Sequence, residues 1–315
     1  MSRRVLISGS VAYDTIMVFE GHFRDHILPD RVHMLNVAFL TPRLKREFGG
    51  CAANIAYNLQ GLGGEAVVLA AVGHDGEPCL KRLRALGVDT APMLRCEDLF
   101  TAQAFITTDL SDNQITAFHP GAMSEAHRVS AAQAASAGAA WGIVAPNGRD
   151  AMLSHAREFS QAGVPWLFDP GQGLPMFGGA ELREFVEQAS AVAVNDYEAG
   201  LLTERTGWSE EEIASRVQAL IVTRGAEGSV LYEGGRRQLV EAVAVKDPVD
   251  PTGCGDAYRG GLLYGLSAGW SWRDSARLGS LMGALKIVHQ GAQNHPVNRD
   301  EVAARYEELW GTRPW

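Results

Sequence analysis

The second half of the chain alternates short apolar runs with helical patterns, and this alternation constrains the fold more than any other feature. Four such runs lie between residues 142 and 223 and read GIVAP, VPWLFDP, AVAVN and LIVT. This alternation is typical of βαβ units, which place parallel strands in one sheet with helices on both of its faces. We therefore predict a doubly wound α/β fold in which residues 1–315 form a single domain.

The carboxyl ends of the predicted strands are the expected ligand-binding positions, because open α/β sheets bind their ligands there. On this rule the candidate segments are 146–147, 169–172, 195–198 and 223–228. Asp14 follows the first apolar run, Arg4–Gly9. A carboxylate at this position can accept hydrogen bonds from two neighbouring substrate hydroxyls, or it can form an Asx turn. The residues alone leave both readings open.

A glycine-rich turn runs directly into an amphipathic helix at DPTGCGDAYRGGLLYGL, residues 250–266. The small residues Gly253, Cys254 and Gly255 let a ligand approach the backbone, and N–H groups at a helix N-terminus bind anions. Asp256 follows, where it can take a proton from a hydroxyl beside a bound phosphate. An ordinary turn with Asp256 as the helix cap is the alternative.

Composition excludes several classes of protein. Hydrophobic residues make up 46% and charged residues 21%, and a net charge of −9 provides no basic surface for nucleic acid. Cys51, Cys79, Cys96 and Cys254 lack metal-binding spacing, so we expect reduced thiols in a cytoplasmic protein. The N-terminal apolar run is short and is interrupted by Asp14, unlike a signal peptide. No apolar stretch is long enough to span a membrane.

A second glycine-rich turn precedes a helix at GGCAANIAYNLQGL, residues 49–62. Gly49 and Gly50 form the turn, and the small residues after them let the helix lie close to a sheet or a substrate. Asn54 projects from the first turn of this helix. This turn is therefore a second candidate ligand-binding position.

Two segments, residues 15–47 and 98–120, contain strand-like runs that do not fit the alternation of the main sheet. We predict that their strands lie outside it. Phe118 and Met123, in the sequence FHPGAM, can form the wall of an apolar pocket or belong to the core. We expect a small second sheet in this part of the molecule.

Two further strand ends carry polar residues. In NDYE, Asn195 and Glu198 can face one cation or its water shell, or they can cap a helix. TRGAEGS predicts a hairpin whose Thr223, Gly225 and Gly228 offer a hydroxyl and backbone amides to a phosphate. Together with the glycine-rich turn at Gly253–Gly255, which we call the anion turn, and with Asp256, these groups indicate phosphoryl transfer to a polyol. The Walker A pattern and the protein-kinase motifs are absent.

Two stretches, FGGCAANIAYNLQGLGG and DPTGCGDAYRGGLLYGL, resemble the paired signatures of the ribokinase-like, or PfkB, sugar and nucleoside kinases. The resemblance covers nearly the whole chain. It implies an ATP-dependent kinase with a doubly wound α/β domain and a small β-sheet lid. It also implies an anion hole at Gly253–Gly255 and a catalytic base at Asp256.

Within this family, GSVAYDTIMVFEG, ILPDRVH, FHPGAMSEA and NDYE look most like the bacterial adenosine kinases, which implies phosphorylation of adenosine to AMP in purine salvage. By position, this resemblance assigns the ribose to Ser10, Asp14, Gly49, Gly50 and Asn54. It places Gln172, Phe118 and Met123 around the adenine. A sugar kinase of the same fold, acting on ribose or fructose, is the alternative, and it would have no use for an aromatic side chain at Phe118.

The resemblance also implies ions and an assembly. NDYE matches an element that orders Mg²⁺ through water at Glu198. The residues that the resemblance assigns to ATP binding are Asn195, Thr223, Gly225 and Gly228. Asp250 matches the place where many members hold a monovalent cation such as K⁺, although Pro251 replaces the more usual Thr and leaves ion activation open. The run Met34–Leu40 has large apolar residues at both parities, so we predict a strand there and a homodimer through the lid.

Overall fold

The computed structural model describes residues 3–27, 36–111 and 113–315. In chain order its strands are β1 (Arg4–Ser8), β2 (Ala12–Val18), β3 (Arg43–Gly49), β4 (Glu65–Leu69), β5 (Ala71–Gly73), β6 (Leu94–Cys96), β7 (Ala102–Thr108), β8 (Gln114–His119), β9 (Trp141–Val144), β10 (Trp166–Phe168), β11 (Ala191–Asn195), β12 (Ala219–Thr223), β13 (Ser229–Glu233) and β14 (Arg236–Val240). Its helices are α1 (Cys51–Gly61), α2 (Glu77–Ala85), α3 (Ala131–Ala135), α4 (Arg149–Gln161), α5 (Gly179–Gln188), α6 (Asp196–Thr206), α7 (Glu210–Ala214), α8 (Cys254–Ser267), α9 (Trp272–Ile287) and α10 (Arg299–Trp310). Within these described ranges no helix has the length and apolarity needed to cross a membrane.

Eight strands form the main sheet in the order β14-β13-β12-β11-β10-β9-β1-β4. The pairs from β4 to β12 are parallel, whereas β12, β13 and β14 run antiparallel at one edge. The carboxyl ends of the parallel strands therefore lie along one side of the sheet. The predicted doubly wound α/β fold is confirmed, with the antiparallel edge making the sheet mixed.

Helices cover both faces of this sheet, which explains why its strands are apolar at both parities. On β1, Ile7 belongs to a buried cluster with Ile55 of α1 and Leu262 of α8. Leu6, the next residue, points to the other face and packs in a cluster with Phe159 of α4. All four cysteines carry free thiols, as predicted.

A separate four-stranded sheet, which we call the lid, has the order β3-β2-β7-β8. One row of direct partners crosses the four strands, so its side chains share one face of the lid. From β3 to β8, the row consists of Glu47, Asp14, Ala104 and Phe118. We call this set the Asp14 row. The lid begins at Ala12, before the predicted segment 15–47, because only a short loop separates β1 from β2.

The predicted strand Met34–Leu40 lies partly outside the described residues, which resume at Asn36. From there to Leu40 the chain forms no strand, so for this part the prediction is wrong. Side-chain contacts replace the expected ladder, since the ring of Phe39 lies 4.9 Å from that of Phe19 and 5.0 Å from that of Phe23. Phe39, in the described part of the segment, therefore belongs to an aromatic cluster with Phe19 and Phe23.

Candidate active site

Helix α8 begins at the glycine-rich turn, and the backbone there requires glycine. Gly253, the residue before α8, has a φ angle of 78°, and a Cβ at this position would lie 2.7 Å from a Cβ atom in the loop after α9. The N–H of Cys254 donates to the Pro251 carbonyl at 3.1 Å. The N–H groups of Gly255 and Asp256 belong to the first turn, where a helix has no carbonyl to offer them. These two amides and the helix dipole favour an anion at this turn.

Asp256 lies half-buried in the first turn of α8, and the Nδ2 of Asn54 donates a 2.8 Å hydrogen bond to its Oδ2. Burial raises the pKa of Asp256 to about 7; the Asn54 hydrogen bond opposes this shift, and the charge of Asp169 adds to it. A carboxyl with a pKa near neutrality is suited to accept a proton at physiological pH. Both the position and the basicity of Asp256 therefore fit a general base.

A chain of amides orients Asn54. Gln293 Nε2 donates to Asn54 Oδ1 at 2.9 Å, and Gln293 Oε1 accepts a 3.1 Å hydrogen bond from Arg82 Nε. Because the Asn54 oxygen is already an acceptor, its NH₂ group faces Asp256. Asn54 is only 5% exposed. Asn54, which the family resemblance assigns to the ribose, is thus hydrogen-bonded to Asp256 in this structure.

A buried ion pair lies next to this base. Arg259, one turn after Asp256 on α8, places its Nη2 3.0 Å from Asp169 Oδ1 and 3.1 Å from the carbonyl oxygen of Ala193. Both charged side chains are almost fully buried. The pair joins α8 to the carboxyl end of β10 and to the middle of β11, and its carboxylate contributes to the raised pKa of Asp256.

Asn195 and Glu198 form a capping box at the start of α6. Asn195 Oδ1 accepts the Glu198 N–H at 2.7 Å, and Glu198 Oε2 accepts the Asn195 N–H at 2.9 Å. Of the two roles that the sequence allowed for Asn195 and Glu198, the structure therefore shows the helix cap. Burial raises the pKa of Glu198, and the neighbouring charge of Asp169 adds to the shift.

Asp14 lies within strand β2 and not in an Asx turn. Gly49 leaves room for it, since a Cβ there would lie 2.3 Å from Asp14 Oδ2. Burial raises the pKa of Asp14 to about 6, and the adjacent Glu47 carboxylate contributes. Glu47 also lines a cavity of about 540 Å³ between the lid and the loops of Asp250 and Gly291. The Asp14 row therefore belongs to the inner face of the lid, beside a space of ligand size.

The loop after β1 is locked to the start of α1. Ser10 Oγ accepts the Cys51 N–H at 3.1 Å, and the Ser10 carbonyl accepts the Ala52 N–H at 3.0 Å. Gly50 has a φ angle of 91°, and a Cβ there would lie 2.5 Å from the Ser10 oxygen. This close packing explains the Gly-Gly turn and fixes the backbone between the two sheets.

The three predicted base-binding residues come from three elements. Phe118 is 52% exposed on β8, so it is not a core residue. Met123 is half-buried in the 3-10 segment Gly121–Arg128. Gln172 is exposed in another 3-10 segment, and its Nε2 lies 3.8 Å from the Cys51 sulfur. Gln172 is therefore near the Ser10 loop, while Phe118 shares the Asp14 row.

The residues predicted to contact ATP lie at the ends of β11 and β12 and in the turn after β12. Thr223 ends β12 directly beside Asn195 of β11, and its Oγ1 donates to the Val194 carbonyl at 3.3 Å. Gly225 and Gly228 have φ angles of 55° and 89° around a 3-10 turn, and β13 returns antiparallel from it. The predicted glycine-flanked hairpin is confirmed.

Asp250 anchors the turn that leads into α8. Its Oδ1 accepts the Thr252 N–H and its Oδ2 accepts the Gly291 N–H, each at 2.8 Å. The pKa of Asp250 is lowered, because these hydrogen bonds and the charge of Lys286 outweigh the opposing effect of burial. Both carboxylate oxygens thus have protein partners.

Sequence reasoning missed four residues of this site, Arg82, Arg259, Lys286 and Gln293. One of them had a signal, since Arg259 is the only basic residue in the apolar helix α8. The others are separated from their partners by long stretches of sequence, and no local pattern indicates such pairs.

A carboxylate with a pKa near neutrality at a helix N-terminus, beside first-turn amides that favour an anion, is the arrangement expected of a phosphotransferase that uses ATP and acts on a hydroxyl group. The chain belongs to the PfkB family of carbohydrate kinases, whose family model matches residues 7–299. This confirms the family that the two glycine-rich signatures predicted.

Similar proteins in the family include nucleoside kinases. The nucleoside kinase of Burkholderia thailandensis in complex with inosine is 52% identical to this chain, with a TM-score of 0.89 over 98% of this chain and 99% of that one. The crystal structure of the Methanocaldococcus jannaschii nucleoside kinase is 25% identical, with a TM-score of 0.86 over 97% and 98% of the two chains. A curated nucleoside kinase of the same archaeon is 27% identical over 277 residues, which are 87% of this chain and 90% of that protein.

Proposed function

We propose that this chain is a nucleoside kinase that transfers the γ-phosphate of ATP to the 5′-hydroxyl of purine nucleosides, with adenosine among its acceptors. The observation that favours this function most is the Asp14 row. Asp14 and the exposed ring of Phe118 lie on the same lid face, with only Ala104 between them. A carboxylate binds vicinal ribose hydroxyls, and an aromatic ring packs against a base.

The similarity to nucleoside kinases supports the same proposal. The Burkholderia thailandensis enzyme is also known in complex with ADP-inosine, at 54% identity to this chain. Inosine and adenosine share the ribose and the fused purine rings. We therefore expect both to be acceptors, and we expect the ribose to contribute more than the purine edge.

In the proposed reaction the 5′-oxygen forms a bond to the γ-phosphorus as the bond to the ADP oxygen breaks. Asp256 takes the proton of the 5′-hydroxyl. The first-turn amides of α8 hold the transferring phosphoryl group, whose negative charge the helix dipole stabilises. Phosphorylation thus depends on Asp256 being ionised before the acceptor reacts.

Mg²⁺ is the ion that such a reaction uses. The described residues contain no group of three or more His, Cys, Asp or Glu side chains that could hold a metal. The residues present therefore fit an ion bound mainly by phosphate oxygens and water, with Glu198 acting through water. When bound, Mg²⁺ would neutralise phosphate charge. On the nucleotide side, Asn195, Thr223, Gly225 and Gly228 are the proposed contacts for ATP.

The proposed assembly is a homodimer through the outer face of the lid, in a protein of the cytoplasm. The side chains of Leu44 and Ile115 lie in one row of that face, and Phe105 is on the same face one pleat away. Their exposures are 66%, 43% and 41%, which makes an apolar patch of the kind that marks interfaces. Light scattering behind a sizing column should give twice the 33.9 kDa chain mass for the wild type and the chain mass for Leu44→Glu/Ile115→Glu. A measured wild-type mass equal to that of a single chain would contradict the dimer.

The function is tested by ADP release with ATP, Mg²⁺ and one acceptor at a time: adenosine, inosine, guanosine, cytidine, ribose or fructose. Adenosine and inosine should give kcat/KM values well above those of the free sugars, because the sugars lose the contacts of the base. A higher kcat/KM for ribose or fructose would make the chain a sugar kinase and would leave Phe118 without a role in recognition.

A further inference from the structure

Lys286, near the end of α9, is a fully buried cation next to the anion turn. Its side chain is 0% exposed, and its Nζ donates to the carbonyl oxygens of Asp250 at 2.6 Å and His289 at 3.1 Å. The Asp250 carboxylate, at 3.7 Å, is its ion-pair partner. A buried charge is costly unless it is paired and hydrogen-bonded. Two carbonyl oxygens thus accept hydrogen bonds from the ammonium, and the carboxylate balances its charge without a hydrogen bond.

These acceptors are the kind of ligand that a monovalent metal ion prefers, because hard cations bind carbonyl and carboxylate oxygens. In this chain the ammonium already uses them, and both Asp250 carboxylate oxygens also accept backbone N–H groups. A K⁺ ion at the same oxygens would face the Lys286 charge at close range, and the buried ammonium is only weakly screened by water. The residues present therefore do not fit the monovalent cation that the family resemblance suggested at Asp250.

The same side chain connects the end of α9 to the start of α8. Val249 and Asp250 donate their N–H groups to the Ile287 carbonyl at 2.8 and 3.0 Å, and Lys286 adds the bond to the Asp250 carbonyl. Gly253 follows Asp250 by three residues and precedes the first turn of α8. Holding Asp250 in place therefore holds the anion turn in place.

The positive charge of Lys286 also reaches this turn. Burial raises the pKa of Cys254, the first residue of α8, to about 11, and the strongest opposing effect is the charge of Lys286. The ammonium therefore contributes positive potential behind the anion turn as well as fixing its backbone.

We infer that Lys286 is a built-in substitute for a monovalent metal ion, a positioning residue that fixes the anion turn so that phosphoryl transfer needs no K⁺. This inference concerns the phosphotransferase reaction of the family and does not depend on which acceptor is used.

The test is to remove the ammonium and offer free cations instead. Wild type should have the same kcat in KCl, NaCl and choline chloride at equal ionic strength. Lys286→Ala should lose about 10²-fold in kcat in choline chloride, the scale for a misplaced reacting group. K⁺ or NH₄⁺ should restore much of it, because either can enter the space left by the side chain.

Two further variants separate this role from simple packing. Lys286→Met keeps most of the volume without the charge, so it should be inactive and should not respond to K⁺ or NH₄⁺. Lys81→Ala removes an exposed lysine of α2 and should behave as wild type in every salt. A general loss of packing would lower the activity of Lys286→Ala in all salts alike.

Thermal unfolding without substrate gives a readout that does not depend on the acceptor or on activity. The Tm of Lys286→Ala should rise in KCl relative to choline chloride, since an ion that binds only the folded state stabilises it. The Tm of wild type should be the same in both salts. A K⁺ requirement in wild type, full activity of Lys286→Ala in choline chloride, or a Lys286→Ala protein that neither K⁺ nor NH₄⁺ affects would each overturn the inference.

Discussion

The two halves of the site are built in different ways. In the α/β domain, Asp256 lies half-buried and accepts a hydrogen bond from the buried Asn54, which is itself held by a second amide. In the lid, Asp14 has the like-charged Glu47 beside it, and Phe118 is 52% exposed. Hydrogen bonds within the protein hold the first half in place, whereas we propose that the second completes its interactions only when a ligand binds.

This difference predicts which kinetic parameter, kcat or KM, each substitution should change. In the proposed function, groups fixed beside the anion turn act on the transition state, so their loss should lower kcat. Groups of the lid contact the ribose and the base in the same proposal, so their loss should change KM and the preference among acceptors. The following variants test whether the two halves separate in this way.

The largest effect is expected for Asp256→Asn. An amide cannot take the proton, so kcat should fall by about 10²- to 10⁴-fold, measured as steady-state ADP release with adenosine. Asp300→Asn, at an exposed position in the first turn of α10, is the matched control.

The stability of Asp256→Asn provides a second check. Folding raises the pKa of Asp256 from 3.8 to about 7, so the folded state loses stability relative to the unfolded state as the pH rises between these values, and the loss is complete above about 7. The variant should therefore unfold at the same or a higher temperature than wild type at pH 8. Turnover close to that of wild type would mean that another group is the base.

Asp14→Ala should weaken recognition of the ribose. Hydrogen bonds to a charged group contribute about 1.5 to 3 kcal/mol each, which is about 10- to 150-fold in kcat/KM for each bond lost. Wild type should prefer adenosine over 2′-deoxyadenosine, and the variant should lose this preference. An unchanged ratio of the two kcat/KM values would exclude Asp14 as the ribose ligand.

Asn54→Ala should change the pH dependence of the reaction. The Asn54 hydrogen bond lowers the pKa of Asp256, so its loss should move that pKa above about 7. The acidic limb of the kcat/KM profile should then shift to higher pH, with the largest deficit below pH 7 and partial recovery at pH 9. If Asn54 binds the ribose instead, KM should rise at every pH and the limb should stay in place.

The smallest effect is expected for Phe118→Ala. Contacts of an aromatic ring add about 0.5 to 1.5 kcal/mol, so kcat/KM for adenosine should fall about two- to tenfold while that for ribose stays constant. Phe100→Ala, which removes an exposed ring outside the lid strands, is the control. An equal loss with both acceptors would show that Phe118 supports the lid and not the base.

The same contrast explains what the sequence predicts and what it does not. The anion turn is a local pattern, because Gly253 and Asp256 lie within four residues of each other and their proposed roles follow from a glycine turn before a helix. The alternating strands likewise predict the main sheet. Local patterns were therefore sufficient to predict the turn, the helix after it and the sheet on which they pack.

The partners of these groups are not local. Asn54 and Gln293 are 239 residues apart, and Lys286 meets Asp250 across 36 residues. Folding brings such pairs together, and a single sequence contains no signal that joins them. The strand predicted around Leu40 was wrong where the structure describes it, since Phe39 packs in an aromatic cluster and Leu40 is 85% exposed, and a run of apolar residues does not distinguish these environments from a buried strand.

The most direct measurement of the proposed division of labour is a crystal structure of the enzyme with adenosine and a non-hydrolysable ATP analogue. We predict that the 2′- and 3′-hydroxyls of the ribose donate to Asp14, that the 5′-hydroxyl lies within hydrogen-bonding distance of Asp256, and that the terminal phosphate sits on the first-turn amides of α8. A nucleoside bound with its 5′-hydroxyl away from Asp256, or with its ribose hydroxyls away from the lid, would contradict the account.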